Sequence, residues 1–299
     1  MPARYSSYAA RGGKLKSAAT RQVPGTHIYF LPVARNVTPI VPHASRVART
    51  QHTRVTPHNT RSMPHSRLAL FTLILSFGAL ALLVASGIGY RQEAWTLRTA
   101  FTMIRWAAYA GIAASVLALV GMVLAKPRGT ATVVFGAAFV IAAATAIVPW
   151  RWKQRASAVP PIHDVTTDTQ DPPKFVAVLP LRANAKNSAE YAGDSIATLQ
   201  RGGYPDLAPA SFQQPAGVMF ARARAAVDAM GWMLVAADSG AGRIEATATT
   251  TWFGFKDDVV VRVRSEGSGS RVDVRSVSRL GGSDVGTNAA RIRQFLARL

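Results

Sequence analysis

Leu68–Tyr90 reads LALFTLILSFGALALLVASGIGY, 23 residues without a charge between Arg67 and Arg91. As a helix it rises about 34 Å, enough to cross the hydrocarbon core of a bilayer. Two similar stretches follow: Trp106–Ala125, 20 uncharged residues ending at Lys126, and Gly129–Trp150, 22 residues between Arg128 and Arg151. Three charge-free runs of this length with basic flanks do not suit buried helices of a water-soluble protein, so the reading is an all-α membrane region with spans 68–90, 106–125 and 129–150. Tyr90, Trp95, Trp106, Trp150 and Trp152 stand near the span ends, where amphipathic rings favour the headgroup layer.

Composition points the same way. Of 299 residues 49% are hydrophobic and only 17% charged, against about 25% charged in typical soluble proteins. The absence of cysteine excludes disulfides, thiolate catalysis and metal centres built on sulfur. No acid and no histidine falls within a span, so the ionisable groups that mark proton and ion pathways are missing and a pump or transporter is disfavoured. Ala107, Gly111 and Ser115 recur every four positions in the second span, a small-residue face that lets helix backbones approach.

The net charge of +20 would suit nucleic acid if it were clustered on a folded surface. It is not. Residues 1–67 carry eleven basic side chains and no acid, residues 68–155 eight against Glu93, and residues 156–299 sixteen against fourteen. No nucleic-acid partner is expected; the lipid bilayer is. Residues 1–67 lack both acids and a sustained apolar period, so they read as a disordered basic leader. Met63 opens a compact alternative start, MPHSRLALFTLILSF, which would leave residues 1–62 untranslated and, by cutting the basic residues on that side of the spans to three, shift the expectation toward a cytoplasmic C-terminal domain. Arg49, Arg54, Arg61, Arg67, Lys126 and Arg128 flank one side of the spans; Arg91, Arg98, Arg105, Arg151, Lys153 and Arg155 flank the other, an even split.

Residues 156–174, with Pro160, Pro161, Pro172 and Pro173, read as an extended tether holding the next domain off the membrane. Residues 175–299 then form an α+β domain. Pro215 suits the first turn of a helix running to Met230, and Gly231 ends it. Strands follow at 232–237, 243–252, 259–264 and 271–279, with Val261 and Val263 facing Val272 and Val274. Ile292, Phe295, Leu296 and Leu299 make one stripe on a closing helix. The expected fold is a four-stranded antiparallel meander covered by two helices, with residues 175–214 packed around it.

These residues resemble a known family, the bacterial and plastid group catalogued as domain of unknown function 1499, over about residues 160–299. The likeness rests on PIHDVTTD at 161–168, YPD at 204–206, TWFGFKDD at 251–258, DVRS at 273–276 and DVGTNAARI at 284–292. It implies a small membrane-anchored domain of the cell envelope, and so a multi-pass protein of the bacterial inner membrane with its C-terminal domain on the periplasmic side. It offers no reaction, cofactor or ligand to transfer. The order of helix and meander is also similar to helix-grip domains that take apolar ligands or protein partners.

Candidate chemistry is sparse. Asp257 and Asp258 can serve as acid and base only if they converge, yet neighbours on a strand point to opposite faces. His163 is the sole histidine after the spans, so neither a metal centre nor a catalytic triad has more than one imidazole to use. Asp164, Asp168 and Asp171 lack the glycine and terminal glutamate of a calcium loop and read as solvated. Arg275, Arg279, Asp284 and Asn288 are expected to cluster where the last strand meets the last helix. Trp252, Phe253 and Phe255 form the candidate surface for an envelope protein partner or apolar ligand. On that reading replacement of Phe253 and Phe255 by alanine weakens capture and leaves the thermal melt nearly intact. The expected function is non-catalytic binding; the alternative is an enzyme acting on an envelope substrate through Asp257 or Asp258 with His163.

Overall fold

The computed structural model describes residues 63–125 and 129–299. Residues 1–62 of the basic leader, and the Lys126–Arg128 link between the second and third spans, lie outside those residues, whereas residues 63–67, expected to be disordered, already belong to the first helix. Three helices open the described chain: α1 (Met63–Arg91), α2 (Leu97–Leu124) and α3 (Thr130–Ala158). All three are long and apolar enough to cross a membrane. The second begins well before Trp106, because Thr96 caps it through a hydrogen bond from the Thr99 N–H and because Arg98 and Arg105 stay exposed. Small residues line its buried seam, Ala107, Gly111, Ala114, Ala118 and Gly121. A β-carbon on Gly111 would lie 2.9 Å from the Ala142 carbonyl of α3, which explains the glycine. The Ser76 hydroxyl ties α1 to α3 by donating to the Ala138 carbonyl at 3.0 Å.

The tether expected at 156–174 is replaced by ordered structure. Helix α3 runs to Ala158, and Asp164–Thr166 is already a strand, β1. A 3-10 turn at Leu179–Arg182, helix α4 (Asp194–Gly203) and strand β2 (Ala210–Phe212) follow. Then come α5 (Ala216–Ala229), β3 (Met233–Asp238), β4 (Arg243–Thr249), β5 (Lys256–Glu266), β6 (Gly269–Ser278) and α6 (Thr287–Leu296). The antiparallel sheet therefore has six strands, where four were expected. Its order is β1-β6-β5-β4-β3, with β2 also pairing β6. Beside β6, β2 sits against residues 270–272 and β1 against 275–277. Two three-residue strands, end to end, thus fill one edge position. Val261 pairs with Val274 and Val263 with Val272.

The two faces of the sheet differ because side chains alternate along each strand. One face carries Ile244, Val259, Val261, Val263, Val272 and Val274 against Met219 and Val227 of α5 and Ile292 and Phe295 of α6, forming the main core. The other is lined largely by charge. There Glu245, Asp258, Asp273 and Arg275 are each at most 2% exposed, under a cover made by residues 168–190. Charges so deeply buried must be paired, and they are. Arg275 clamps Asp164 with two hydrogen bonds at 2.9 and 2.7 Å. Arg182 and Arg279 both bind Asp258. Asp273 accepts from Arg262, Arg264 and Arg271. Asp168 and Asp171, read above as solvated, join that last group. Burial pushes the Asp258 carboxyl up, but hydrogen bonds from Arg279, Thr247 and Arg182 outweigh it and hold it below the usual carboxylate range.

Candidate functional site: a cavity between the membrane helices and the domain

The β4–β5 loop, Thr250–Phe255, seats the domain on the helices. Its backbone is closed internally: the Thr250 N–H donates to the Phe255 carbonyl at 2.9 Å, the Gly254 N–H to the Thr250 carbonyl at 3.0 Å, and the Phe255 N–H to the Thr250 hydroxyl at 2.9 Å. Gly254 has φ +69°, and a β-carbon there would come within 2.8 Å of the Arg91 side chain. Both constraints select glycine. The loop then enters the bundle. Trp252 Nε1 donates to the Val84 carbonyl at 3.0 Å, and the Arg91 guanidinium donates to the Thr251 carbonyl at 2.5 Å. Val84 lies seven residues before Arg91, about 10 Å along the helix. The indole side chain thus reaches about two helical turns into the bundle beyond the Arg91 contact, while the loop backbone stays at the helix end. The Trp252 indole occupies the space a side chain on Gly87 would need.

Phe253 is only 2% exposed and clusters with Leu83, Ala100, Ile104 and Ala107. Its ring lies 5.9 Å from that of Tyr90, 6.1 Å from Phe101 and 6.2 Å from Trp152. The aromatic surface read from the sequence as open to a partner is therefore largely spent on the protein's own helices. Tyr90, Trp95 and Trp152, read as headgroup anchors, likewise have intramolecular partners, Trp95 through a 3.0 Å hydrogen bond to the Ser86 carbonyl. Trp106 and Trp150 remain more than half exposed.

Beside this joint is a cavity of about 450 Å³, within the range of sites that hold small organic ligands. Leu97 and Phe101 of α2, Trp152 and Arg155 of α3, and Trp252, Phe253 and Phe255 form its wall toward the bundle. Asp257, Ser278, Asp284 and Thr287 line its end toward the domain, with Leu280–Ser283 closing one side. One end is aromatic and the other polar.

The polar end rests on a buried network. Arg291 donates to Asp257 Oδ2 at 2.6 Å, to the Ser276 hydroxyl at 3.1 Å and to Asn288 Oδ1. Asn288 Nδ2 donates to the Ser278 hydroxyl at 3.1 Å and to the His163 carbonyl at 2.9 Å. Asp284 caps α6 by accepting from the Gly286 and Asn288 N–H groups at 2.9 and 2.6 Å. Burial pushes the Asp284 carboxyl up, the Asn288 and Gly286 N–H groups oppose the rise, the Asp257 charge adds to it, and the net shift is upward.

Of the residues singled out from the sequence, Trp252, Phe253, Phe255, Asp257 and Asp284 line the cavity, and Asn288 supports it. Arg275 and Arg279 do not join Asp284 and Asn288, as was expected; they lie on the opposite face of the sheet, bound to Asp164 and Asp258. The reason is the two-residue period of β6, which sends Ser276 and Ser278 toward α6 and residues 275 and 279 away from it. Asp257 and Asp258 diverge for the same reason, the first held by Arg291 and the second by Arg182 and Arg279. They do not share a proton. His163 contributes its carbonyl oxygen to the network. Among the described residues no group of three or more His, Cys, Asp or Glu is placed to hold a metal ion. The sequence reading did not place Gly87, Arg91, Phe101, Trp152, Arg155 or Ser278 at the site; Arg91, Trp152 and Arg155 figured there only as flanks of the spans. Only the paired glycines 87 and 89 near the end of an apolar helix hinted that aromatic rings pack there.

No curated protein and no solved structure matches the chain. A family model does: residues 164–299, beginning at the first residue of β1, match the family described as "Protein of unknown function (DUF1499)", so the domain that forms the polar end of the cavity carries the family resemblance read from the sequence.

Proposed function

We propose that this protein binds an amphiphile drawn from the membrane, with the tail against the aromatic wall and the head at the polar end of the cavity. The observation that carries the reading is the cavity's position, walled on one side by two membrane helices and on the other by the domain. An apolar ligand is favoured over a protein partner because the aromatic loop is already occupied by α1, α2 and α3. Nucleic acid has no role in this reading, in keeping with the nearly balanced charge of residues 156–299.

Leu280 is half-buried on the cavity side, and tryptophan there fills the space. Native mass spectrometry of the full chain, purified from membranes in mild detergent, is expected to show one retained lipid per wild-type chain and none with Leu280→Trp. Equal retention by both, or none by the wild type, overturns the reading. Following the family resemblance, we place the domain on the periplasmic face of a bacterial inner membrane. The chain has no cysteine, so a single one at exposed Ser239 reports sidedness cleanly. A membrane-impermeant maleimide should label it in intact spheroplasts, and labelling only after lysis would reverse the orientation.

A further inference from the structure

The polar end of the cavity has a definite electrical and hydrogen-bonding character. Asp257 is 3% exposed, and while its Oδ2 holds Arg291, its Oδ1 has no hydrogen-bond partner among the described residues. The Ser278 hydroxyl accepts from Asn288, and its own proton has no acceptor among those residues. Asp284 is a second carboxylate at the same end. One guanidinium, Arg291, answers the two acids, and its hydrogen bonds are already directed at Asp257, Ser276 and Asn288. Asp257 Oδ1 thus presents an unfilled acceptor to the cavity, beside the Ser278 hydroxyl and the Asp284 carboxylate, and a charge-assisted hydrogen bond at the protein wall counts for more than in bulk water.

A head bearing phosphate or carboxylate alone would meet like charge there. A quaternary ammonium brings charge but no N–H. Among phospholipid heads, a primary ammonium supplies positive charge and three donors together. Arg155 lies at the α3 edge of the cavity and also borders the adjoining cleft beside Thr287 and Arg291; being exposed, it is free to meet an anion.

Resting on the amphiphile reading above, we propose that the ligand is an aminophospholipid, its primary ammonium at Asp257 and Ser278 and its phosphate at Arg155.

The test offers the full-length protein in nanodiscs an equimolar mixture of phosphatidylethanolamine, phosphatidylcholine and phosphatidylglycerol with identical acyl chains. The lipid retained on release is then identified by native mass spectrometry. Phosphatidylethanolamine is expected to exceed each of the others by about ten-fold or more, the usual scale for a buried charge-assisted hydrogen bond. Equal retention of the three, or a preference for phosphatidylglycerol, overturns the head-group assignment and leaves the cavity reading standing. Retention of none overturns the cavity reading itself. Asp257→Asn is expected to collapse the preference over phosphatidylcholine to about two-fold while lipid is still held. Because that variant also loosens Arg291, Ser278→Ala is measured beside it; a preference undiminished in both overturns the assignment.

Discussion

Replacing Glu245 with leucine is expected to unfold the cover of the sheet and lower the melting temperature of the full chain by about 10 °C or more. The side chain lies in the middle of β4 and is wholly buried. Its two oxygens accept from three consecutive backbone N–H groups, those of Val176, Ala177 and Val178, all at 3.0 Å, and from Arg243 Nε at 2.9 Å. Leucine fills the volume but orphans every donor. A buried donor left without a partner costs about 1–3 kcal/mol; with Val178 fully buried, Ala177 partly so and Val176 half exposed, the loss amounts to roughly 3 kcal/mol. Glutamine, which keeps one accepting oxygen, should fall between the two. The readout is circular dichroism of detergent-solubilised protein, and a leucine variant melting within about 3 °C of wild type would mean that the 176–178 segment is held by other contacts.

The second large effect is at Phe253. Cutting it to alanine is expected to cost about 3–5 kcal/mol, the range for removing a buried aromatic ring. The space it leaves lies between α1, α2 and the β4–β5 loop, so the lost contacts are those that hold the domain to the bundle. Limited proteolysis at residues 159–163, between α3 and β1, should then become faster than in wild type. This reverses the expectation drawn from the sequence, in which alanine at 253 and 255 spared the melt. Phe255 is only half-buried, and its replacement should cost less than half as much as that of Phe253. If both variants melt like wild type, the loop does not seat the domain.

Much of the architecture could be read from local pattern. The three apolar runs show in their charge-free length, the helix after Pro215 in its proline and glycine ends, and the valine alternation of β5 and β6 and the stripe on α6 in their periods, all of which a sequence displays locally. β1 and β2 were invisible because three residues cannot establish a period, and the prolines around β1 argued for a tether. The charged face of the sheet was equally hidden. Arg262, Asp273 and Arg275 alternate with valines, which reads as a solvated face until residues 168–190 are found lying over it. Of the cavity, the domain's half was legible in the run from Trp252 to Asp257. The bundle's half was not: Phe101 and Trp152 look like any lipid-facing aromatics, and the meeting of α2 and α3 with a loop 100 or more residues downstream leaves no trace in local sequence.

The seat at Gly87 and Arg91 has a bearing on how the molecule is made. Arg91 and its acceptor Thr251 are 160 positions apart, so during synthesis the first hairpin of helices emerges and inserts long before the segment that fills its notch exists. The notch therefore stays without its folded-state occupant until residues 250–255 have been translated. A chain stalled before residue 250 would lack the wedge altogether and leave the notch at Gly87 and Arg91 open.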